Sequence, residues 1–229
     1  MNIKEKAITS NEMYKIEERG HYQIGISRSH MMENAGHGIA DFIVSRFKHK
    51  LQSKTIVVIC GTGNNGGDGF VASRHLADFY GAKLTTILLG YPNELRTEEA
   101  RMNWEIIKKM TSIEIIFNDK LNSQIKARIQ RANIIIDGIF GTGVKGTIRE
   151  PYASAIEHIN RSDAYKVSID LPSGLDPNTG NISDNCIEAD ATITFHRMKI
   201  GLLNNKKYTG SIFIERIGIP KIAEKGIII

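Results

Sequence analysis

The run GTGNNGGDG at residues 61–69 constrains the fold of this chain more than any other segment. It follows an apolar, β-branched segment, Thr55–Cys60, and precedes a helical pattern over residues 70–79. Its five glycines leave the backbone bare and allow positive φ angles, while its asparagines and aspartate supply oxygen ligands. A strand, a bare polar loop and a helix N-terminus form an anion-receiving site, so the run predicts a phosphorylated ligand.

Composition excludes several classes of protein. With 229 residues, 41% hydrophobic and 24% charged, the chain is typical of a soluble globular protein. A net charge of +5, spread along the chain, favours an anionic metabolite and does not indicate nucleic acid. Two cysteines, Cys60 and Cys186, do not support a disulfide framework, so we expect a cytoplasmic protein. No apolar run approaches the roughly 20 residues that cross a bilayer, so we expect no membrane partner.

Strand and helix patterns alternate along most of the chain. We predict strands at 55–60, 84–89, 113–117, 133–137, 165–170, 189–195 and 211–217. We predict helices at 11–19, capped by Ser10, and at 29–47, 67–79, 97–110, 122–131 and 152–159. Near-continuous runs of Ile, Val and Leu are typical of parallel strands buried on both faces.

The pattern therefore predicts an α/β fold, a three-layer α/β/α sandwich with a mostly parallel sheet and an N-terminal helical extension. We expect one domain over residues 1–229. It divides into a helical extension at 1–50, an α/β core at 51–217 and a short tail at 218–229.

Three unusual loops follow predicted strands. They are residues 61–69, residues 137–147 (DGIFGTGVKGT) and residues 170–174 (DLPSG). Because the carboxyl ends of parallel strands meet at one sheet edge, these loops should converge on one crevice.

The first loop admits more than one interpretation. Gly61, Gly63 and Gly66 satisfy G-x-G-x-x-G, the dinucleotide fingerprint. A nicotinamide-dependent oxidoreductase would also need an acid at the end of the next strand, which instead ends Leu88-Leu89-Gly90. No Gly-Lys-Ser/Thr triplet follows, so a Walker loop is not indicated. A glycine turn required only for tight packing remains the structural alternative.

Charged residues in the other loops are candidates for chemistry. Lys145 could contact phosphate or transfer a proton, or it could be an ordinary surface lysine. A buried Asp137 would need a cation or backbone donors, unless it caps a helix. Asp170 also ends an apolar strand, in a turn made rigid by Pro172.

Three oxygen-bearing residues could hold a metal ion. Asn65, Asp137 and Ser173 would form an all-oxygen set with a single carboxylate, which is too weakly charged for a divalent ion. Such a set favours monovalent potassium. The seven histidines lack zinc-ligand spacing, and no G-x-S-x-G hydrolase elbow is present.

Four segments together resemble a known family, the YjeF N-terminal domain family. The segments are MENAG (32–36), VVICGTGNNGGDGFVASRHL (57–76), IIDGIFGTGVKGTIREPY (135–152) and SIDLPSGLDPNTG (168–180). The enzymatic members are NAD(P)H-hydrate epimerases, which interconvert the R and S forms of NADHX and NADPHX, cofactors that carry a hydroxyl at C6 of the nicotinamide ring. The resemblance implies a Rossmann-like fold, one potassium ion per subunit and a homodimer.

The resemblance also implies site residues. Asp170 and Lys145 would be catalytic, and Asn65, Asp137 and Ser173 would hold potassium. The substrate would be lined by Asn64, Asn65, Gly66, Gly67, Asp68, Gly141, Thr142, Gly143, Val144, Lys145, Gly146, Thr147 and Asp170.

Partners follow from the same resemblance. A separate NAD(P)H-hydrate dehydratase would remove water from the S form. Some relatives are non-catalytic scaffolds that bind RNA or protein, which is the competing interpretation. Catalysis is favoured because the candidate site residues are all present: Asn65, Asp137, Lys145, Asp170 and Ser173.

Overall fold

The architecture is taken from a computed structural model that describes residues 7–80, 83–143, 146–182 and 184–228, without the side chains of residues 78–80. The strands are β1 Thr55–Cys60, β2 Lys83–Leu89, β3 Ile113–Asn118, β4 Ile134–Gly138, β5 Tyr165–Ile169, β6 Ala191–Phe195 and β7 Ser211–Glu215. The helices are α1 Ser10–Tyr22, α2 Arg28–Phe47, α3 Asn64–Tyr80, α4 Glu98–Ile107, α5 Ser123–Arg131, α6 Tyr152–Asn160 and α7 Lys206–Thr209.

All seven strands form one parallel sheet in the order β3-β2-β1-β4-β5-β6-β7. Each predicted strand is present, and the predicted Rossmann-like α/β fold is confirmed. The strand order reverses between β1 and β4, so the loops after these strands diverge and leave a crevice at the carboxyl edge.

Two apolar layers sandwich the sheet because its strands are apolar on both faces. In β1, Ile56, Val58 and Cys60 pack in the core with α1 to α4, while Val57 and Ile59 pack with α5 and α6. This alternation follows from the two-residue side-chain period of a strand.

Helix α1 begins at a capping box. The Thr9 hydroxyl accepts from the Glu12 backbone N–H at 3.1 Å, and the Glu12 carboxylate accepts from the Thr9 N–H at 2.7 Å. This reciprocal pair satisfies two helix-end donors. The prediction that Ser10 caps the helix is therefore wrong by one residue, and the Ser10 N–H donates instead to Asn178 Oδ1 at 2.8 Å.

Helix α3 begins at Asn64, three residues before the predicted start. Asn64 to Gly69 therefore form its first turns rather than a loop, and none of the five glycines has a positive φ. A Cβ on Gly66 would lie 2.0 Å from the Gly61 carbonyl oxygen, and one on Gly69 would lie 2.7 Å from Cys60 Sγ. Four of the five glycines, all except Gly63, are thus required by close packing around the start of α3, which is the structural alternative considered above.

No helix within the described ranges is both long and apolar enough to cross a membrane.

Candidate functional site

The three unusual loops meet at the carboxyl edge of the sheet, beside the point where the strand order reverses. Asn65 lies just beyond β1, Asp137 is in β4, and Ser173 follows β5. Because β1, β4 and β5 are consecutive in the sheet, these side chains come within reach of one another.

Hydrogen bonds join Asn65, Ser173 and Asp137 through the backbone of Phe140. Asn65 Nδ2 donates to the Phe140 carbonyl at 3.0 Å, and the Phe140 N–H donates to Ser173 Oγ at 2.9 Å. Ser173 Oγ in turn donates to Asp137 Oδ1 at 2.6 Å. We call these four residues the oxygen cluster. The three predicted metal ligands therefore lie together.

Asp137 is completely buried, and protein donors satisfy its carboxylate. Oδ2 accepts from the Ser173 N–H at 2.9 Å and from Ser168 Oγ at 2.8 Å, and Oδ1 also accepts from the Ile139 N–H at 3.2 Å. Burial raises the pKa of Asp137, and the hydrogen bonds from Ser173, Ser168 and Ile139 oppose that rise.

The chemistry of the oxygen cluster fits a monovalent cation. It contains one carboxylate, one hydroxyl, one amide and one backbone carbonyl, and Asn65 Oδ1 accepts no hydrogen bond from the described residues. The four hydrogen bonds to Asp137 fill the capacity of a carboxylate, so this residue is better suited to balancing charge than to open coordination. Within the described ranges, no group of three or more His, Cys, Asp or Glu residues could hold a metal ion.

A buried ion pair lies next to the oxygen cluster along the same sheet edge. Lys199 Nζ donates to Asp170 Oδ1 at 2.5 Å, to the Phe195 carbonyl at 2.8 Å and to Thr194 Oγ1 at 3.1 Å. Lys199 is only 1% exposed. A buried ammonium is tolerated only when its donors are satisfied, and here all three N–H groups have an acceptor.

The two carboxylate oxygens of Asp170 have different environments. Oδ1 accepts from Lys199, from Thr194 Oγ1 at 3.2 Å and from the Phe195 N–H at 3.1 Å. Oδ2 accepts no hydrogen bond from the described residues. The bonds to Oδ1 thus fix the orientation of the carboxylate and leave Oδ2 without a donor among the described residues.

The backbone at Asp170 is strained. Its φ is +62°, and a hydrogen bond of 2.7 Å from the Leu171 N–H to the Ile169 carbonyl closes a three-residue turn around it. Non-glycine residues with positive φ cost of order 1–3 kcal/mol and cluster at functional sites. The predicted strand end at residue 170 is therefore a turn that aims the Asp170 carboxylate.

Sequence reasoning missed Lys199, because no motif marks it. The available signal was position: residue 199 follows β6, whose carboxyl end lies beside that of β5. A lysine just past a strand of a parallel sheet is a candidate for the same crevice.

Two further carboxyls interact electrostatically with this ion pair. Burial raises the pKa of Asp68 well above its usual value, and the charges of Asp170 and Glu17 raise it further while Lys199 opposes them. Burial also raises the pKa of Glu17, on α1, to about 7. We call Glu17, Asp68, Asp170 and Lys199 the charge cluster.

The other predicted substrate residues have mixed positions. Asn64 is exposed, whereas Gly66 and Gly67 are buried, and a Cβ on Gly67 would lie 2.6 Å from the Met32 side chain. Gly141 adjoins the oxygen cluster, where its Cβ would lie 3.3 Å from Asn65 Oδ1. Thr142 is half-buried, while Gly143, Gly146 and Thr147 are exposed. Val144 and the catalytic candidate Lys145 lie outside the described residues.

Two other features lie apart from this chemistry. Cys60 is buried, and burial together with Asp137 and Asp68 raises the pKa of its thiol well above the usual value, so it is inert core.

A groove of about 970 Å³ between α2 and β7 is lined mostly by apolar surface, including that of Phe42 and Phe213. Neither cluster lines it.

The fold defines a Rossmann-like α/β protein, and the oxygen cluster is a candidate ligand site at the switch point of its sheet. Residues 28–201 match the family described as YjeF-related protein N-terminus. The chain belongs to this family.

Relatives from archaea align along most of the chain. An NAD(P)H-hydrate epimerase of Nitrosopumilus maritimus is 47% identical over 221 residues, covering 96% of this chain and 99% of the relative. That of Cenarchaeum symbiosum is 46% identical with the same coverage. A bifunctional NAD(P)H-hydrate repair enzyme of Methanothermobacter thermautotrophicus is 44% identical, covering 88% of this chain and 38% of its own.

A solved structure shares the architecture. The crystal structure of the yeast protein ynu0 superposes with a TM-score of 0.77 at 26% identity, covering 86% of this chain and 82% of the yeast chain.

Proposed function

We propose that this protein is an NAD(P)H-hydrate epimerase, an isomerase that interconverts the R and S forms of NADHX and NADPHX. The observation that carries the proposal is the 46–47% identity, over nearly the whole length, to two archaeal proteins of that name. The free Oδ2 of Asp170 provides the chemistry, because inversion needs a group that can give and take a proton.

The reacting carbon, C6, carries both the ring nitrogen and a hydroxyl. If the Asp170 carboxylic acid donates a proton to that hydroxyl, water leaves and the nitrogen lone pair forms a C=N bond. Water then adds to the opposite face and releases a proton, which restores the starting charge. We assign to Asp170 the donation of the proton on the face from which water leaves. Lys145 remains the candidate that accepts the proton released by the water that adds to the opposite face.

Lys199 supports Asp170 in this scheme. Its ammonium fixes Oδ1, so that Oδ2 keeps one direction while it exchanges the proton. The phosphates of the substrate would lie against the first turn of α3, where unpaired backbone N–H groups and the helix dipole favour anions.

The oxygen cluster is our candidate potassium site. Asn65, Ser173 and the Phe140 carbonyl would supply neutral oxygens, and Asp137 would balance the single positive charge. A bound ion supplies charge compensation near the substrate phosphates, and it ties together the loops that follow β1, β4 and β5.

Three further expectations belong to this proposal. The working unit is a homodimer, the compartment is the cytoplasm, and a separate dehydratase consumes the S form. Bifunctional relatives, which are named as repair enzymes, support the coupling to dehydration.

A coupled assay tests the proposed reaction. A dehydratase specific for the S form is given a racemic hydrate mixture, and the recovery of NADH is followed by absorbance. Without an epimerase, recovery stops near half; with this protein it should go to completion. Recovery that still stops near half would refute the proposed function.

The variant Asp170→Asn tests the assigned acid/base. Epimerisation should fall by roughly 10²–10⁴-fold, because asparagine cannot exchange the proton. The matched control is Asp163→Asn, an exposed aspartate before the amino end of β5, which should keep full activity. Wild-type turnover in a folded Asp170→Asn protein would remove Asp170 from the mechanism.

A further inference from the structure

The turn after β2 brings a carboxylate to the end of that strand. Glu94 ends the short 3₁₀ helix Pro92–Glu94, and its Oε2 accepts from the Tyr91 N–H at 2.7 Å. A Cβ on Gly90 would lie 2.8 Å from the same oxygen, and the φ of Gly90 is +135°. Position 90 therefore suits only glycine, because the carboxylate lies against its backbone. The sequence has no acid directly after β2, but the fold brings one back from residue 94.

This turn is bound to the loop between β1 and α3. The Thr62 side chain lies 3.0 Å from the same Cβ position on Gly90, and the Arg96 N–H donates to the Thr62 carbonyl at 2.9 Å. Thr62 lies two residues before the start of α3. Glu94 is thus next to the helix end at which the phosphates of a dinucleotide would bind.

Aromatic side chains join the same turn to the oxygen cluster. Tyr152 Oη donates to the Leu89 carbonyl, at the end of β2, at 3.1 Å. Its ring packs against that of Phe140, a member of the oxygen cluster, with the centroids 4.7 Å apart. The charges of Glu94 and Arg96 both act on Tyr152. One continuous wall therefore runs along the carboxyl edge from the oxygen cluster to Glu94.

Glu94 and Asp170 lie on opposite sides of the crevice. Glu94 follows β2 and Asp170 follows β5, and the strands between them are β1 and β4. Three strand spacings of about 4.8 Å amount to roughly 14 Å. A dinucleotide binds across such a crevice, with its pyrophosphate at the helix N-terminus and one nucleoside on each side. If the damaged ring lies at Asp170, the adenosine half extends towards Glu94.

An exposed aromatic ring next to Glu94 is suited to an adenine base. Tyr91 is 39% exposed, and its Oη donates to Asp119 Oδ1 at 3.1 Å. Its ring also packs edge-on against Phe117, with the centroids 6.3 Å apart. A ring held in this way offers a fixed face on which a base can stack.

We propose that Glu94 determines specificity between the two forms of the substrate. Its carboxylate would accept a hydrogen bond from the 2′-hydroxyl of the adenosine ribose and repel a phosphate at that position, so NADHX is favoured over NADPHX. This inference rests on the proposed epimerase function. Oε2 is held by the Tyr91 N–H, whereas Oε1 accepts no hydrogen bond from the described residues and faces no competing donor there.

The experiment measures kcat and KM for NADHX and for NADPHX in the coupled assay. Glu94→Gln keeps an acceptor for the Tyr91 N–H and removes the charge. The preference for NADHX, as a ratio of kcat/KM values, should fall by about 10–100-fold. The change should appear in KM rather than in kcat, because the ribose is remote from the reacting carbon.

The matched control is Glu105→Gln, which removes the same charge from an exposed glutamate of α4 that pairs with Lys108. It should keep the wild-type ratio. An unchanged ratio in Glu94→Gln, with a wild-type circular dichroism spectrum, would overturn the proposal. A wild-type preference for NADPHX would also overturn it, and would assign the ribose to Arg96 instead.

A binding measurement separates this inference from the proposed function. NADH and NADPH differ only in the 2′-phosphate, and calorimetric titration with each needs no turnover. The wild-type protein and Glu105→Gln should bind NADH at least about tenfold more tightly, and Glu94→Gln should lose that difference. If the protein epimerises but the Kd ratio is the same in Glu94→Gln, the inference about Glu94 is wrong and the function stands. If it does not epimerise but the ratio changes as expected, the ribose site stands and the function is wrong.

Discussion

At the scale of single residues, the site depends on the different environments of the two carboxylate oxygens of Asp170. Asp170 Oδ1 accepts three hydrogen bonds, and Oδ2 accepts none from the described residues. Such an arrangement orients the carboxylate and leaves one oxygen open to a ligand. The positive φ of Asp170 is a cost that the surrounding hydrogen bonds offset.

The Asp170–Lys199 pair should be strongly coupled in stability. Asp170→Asn and Lys199→Met each leave an uncompensated buried charge, so each should lower the free energy of unfolding by about 3–5 kcal/mol. The double variant removes both charges, and its loss should fall short of the sum by about 1–3 kcal/mol. Urea denaturation of the four proteins measures this cycle.

An exposed ion pair serves as the control for that cycle. Lys207 and Glu188 lie 3.1 Å apart with side chains 66% and 48% exposed. Their cycle, with Lys207→Met and Glu188→Gln, should give a coupling below about 1 kcal/mol. Losses at Asp170 and Lys199 that simply add would mean that the buried pair does not form.

At the scale of secondary-structure elements, the decisive contact is between α3 and the end of β1. The glycine run predicted the right place and the wrong conformation. Gly61 and Gly66 lack a Cβ where backbone meets backbone, so the helix starts earlier and closer to the sheet than a loop would permit. The N-terminal turn of α3 is thereby brought to the crevice.

Two glycines of this run should respond differently to alanine. A Cβ on Gly66 would lie 2.0 Å from the Gly61 carbonyl oxygen, whereas nothing lies within 4 Å of a Cβ on Gly63. Gly66→Ala should therefore lower the free energy of unfolding by about 1–3 kcal/mol or more. Gly63→Ala should be neutral or stabilise by about 0.4–1 kcal/mol, because it restricts the unfolded chain.

Thermal and urea unfolding compare these two variants with the wild-type protein. If Gly63→Ala and Gly66→Ala lowered the free energy of unfolding equally, the glycines would be needed for backbone flexibility rather than for close packing.

At the scale of the whole molecule, strand order brings the functional residues together. Asn65, Asp137 and Ser173 follow or end strands that are neighbours in the sheet but distant in sequence. An ion in the oxygen cluster would therefore stabilise the folded chain as a unit.

Potassium should raise the melting temperature relative to sodium or tetramethylammonium at equal ionic strength. An ion at 100 times its Kd adds about 2.7 kcal/mol, and each kcal/mol shifts Tm by roughly 2–4 °C in a chain of this size. The shift should be about 5–10 °C in the wild-type protein and in Asp163→Asn, and absent in Asp137→Asn. Identical Tm values in the three salts would contradict a potassium site.

Local pattern determined much of this protein. Apolar runs identified all seven strands, because β-branched residues favour strands. The runs in the central strands β1 and β4, which are buried on both faces, are typical of a parallel sheet. The motif residues Asn65, Asp137 and Ser173 were predicted together, and they do lie together. Two predicted helix starts were wrong: the cap of α1 is Thr9 rather than Ser10, and α3 begins at Asn64 rather than Gly67. Caps and close backbone contacts depend on individual atoms, which sequence periodicity does not specify.

Tertiary structure alone decided the rest. Neither Lys199 nor Glu17 belongs to a motif. In the sequence, Lys199 resembles an ordinary lysine, and Glu17 resembles a surface acid on an amphipathic helix. Lys199 becomes the partner of Asp170 only when β6 is placed beside β5. Glu17 interacts electrostatically with this pair only in the folded chain. The reason is physical: burial removes water from these charges, so their ionisation depends on neighbours that are remote in sequence and close in space.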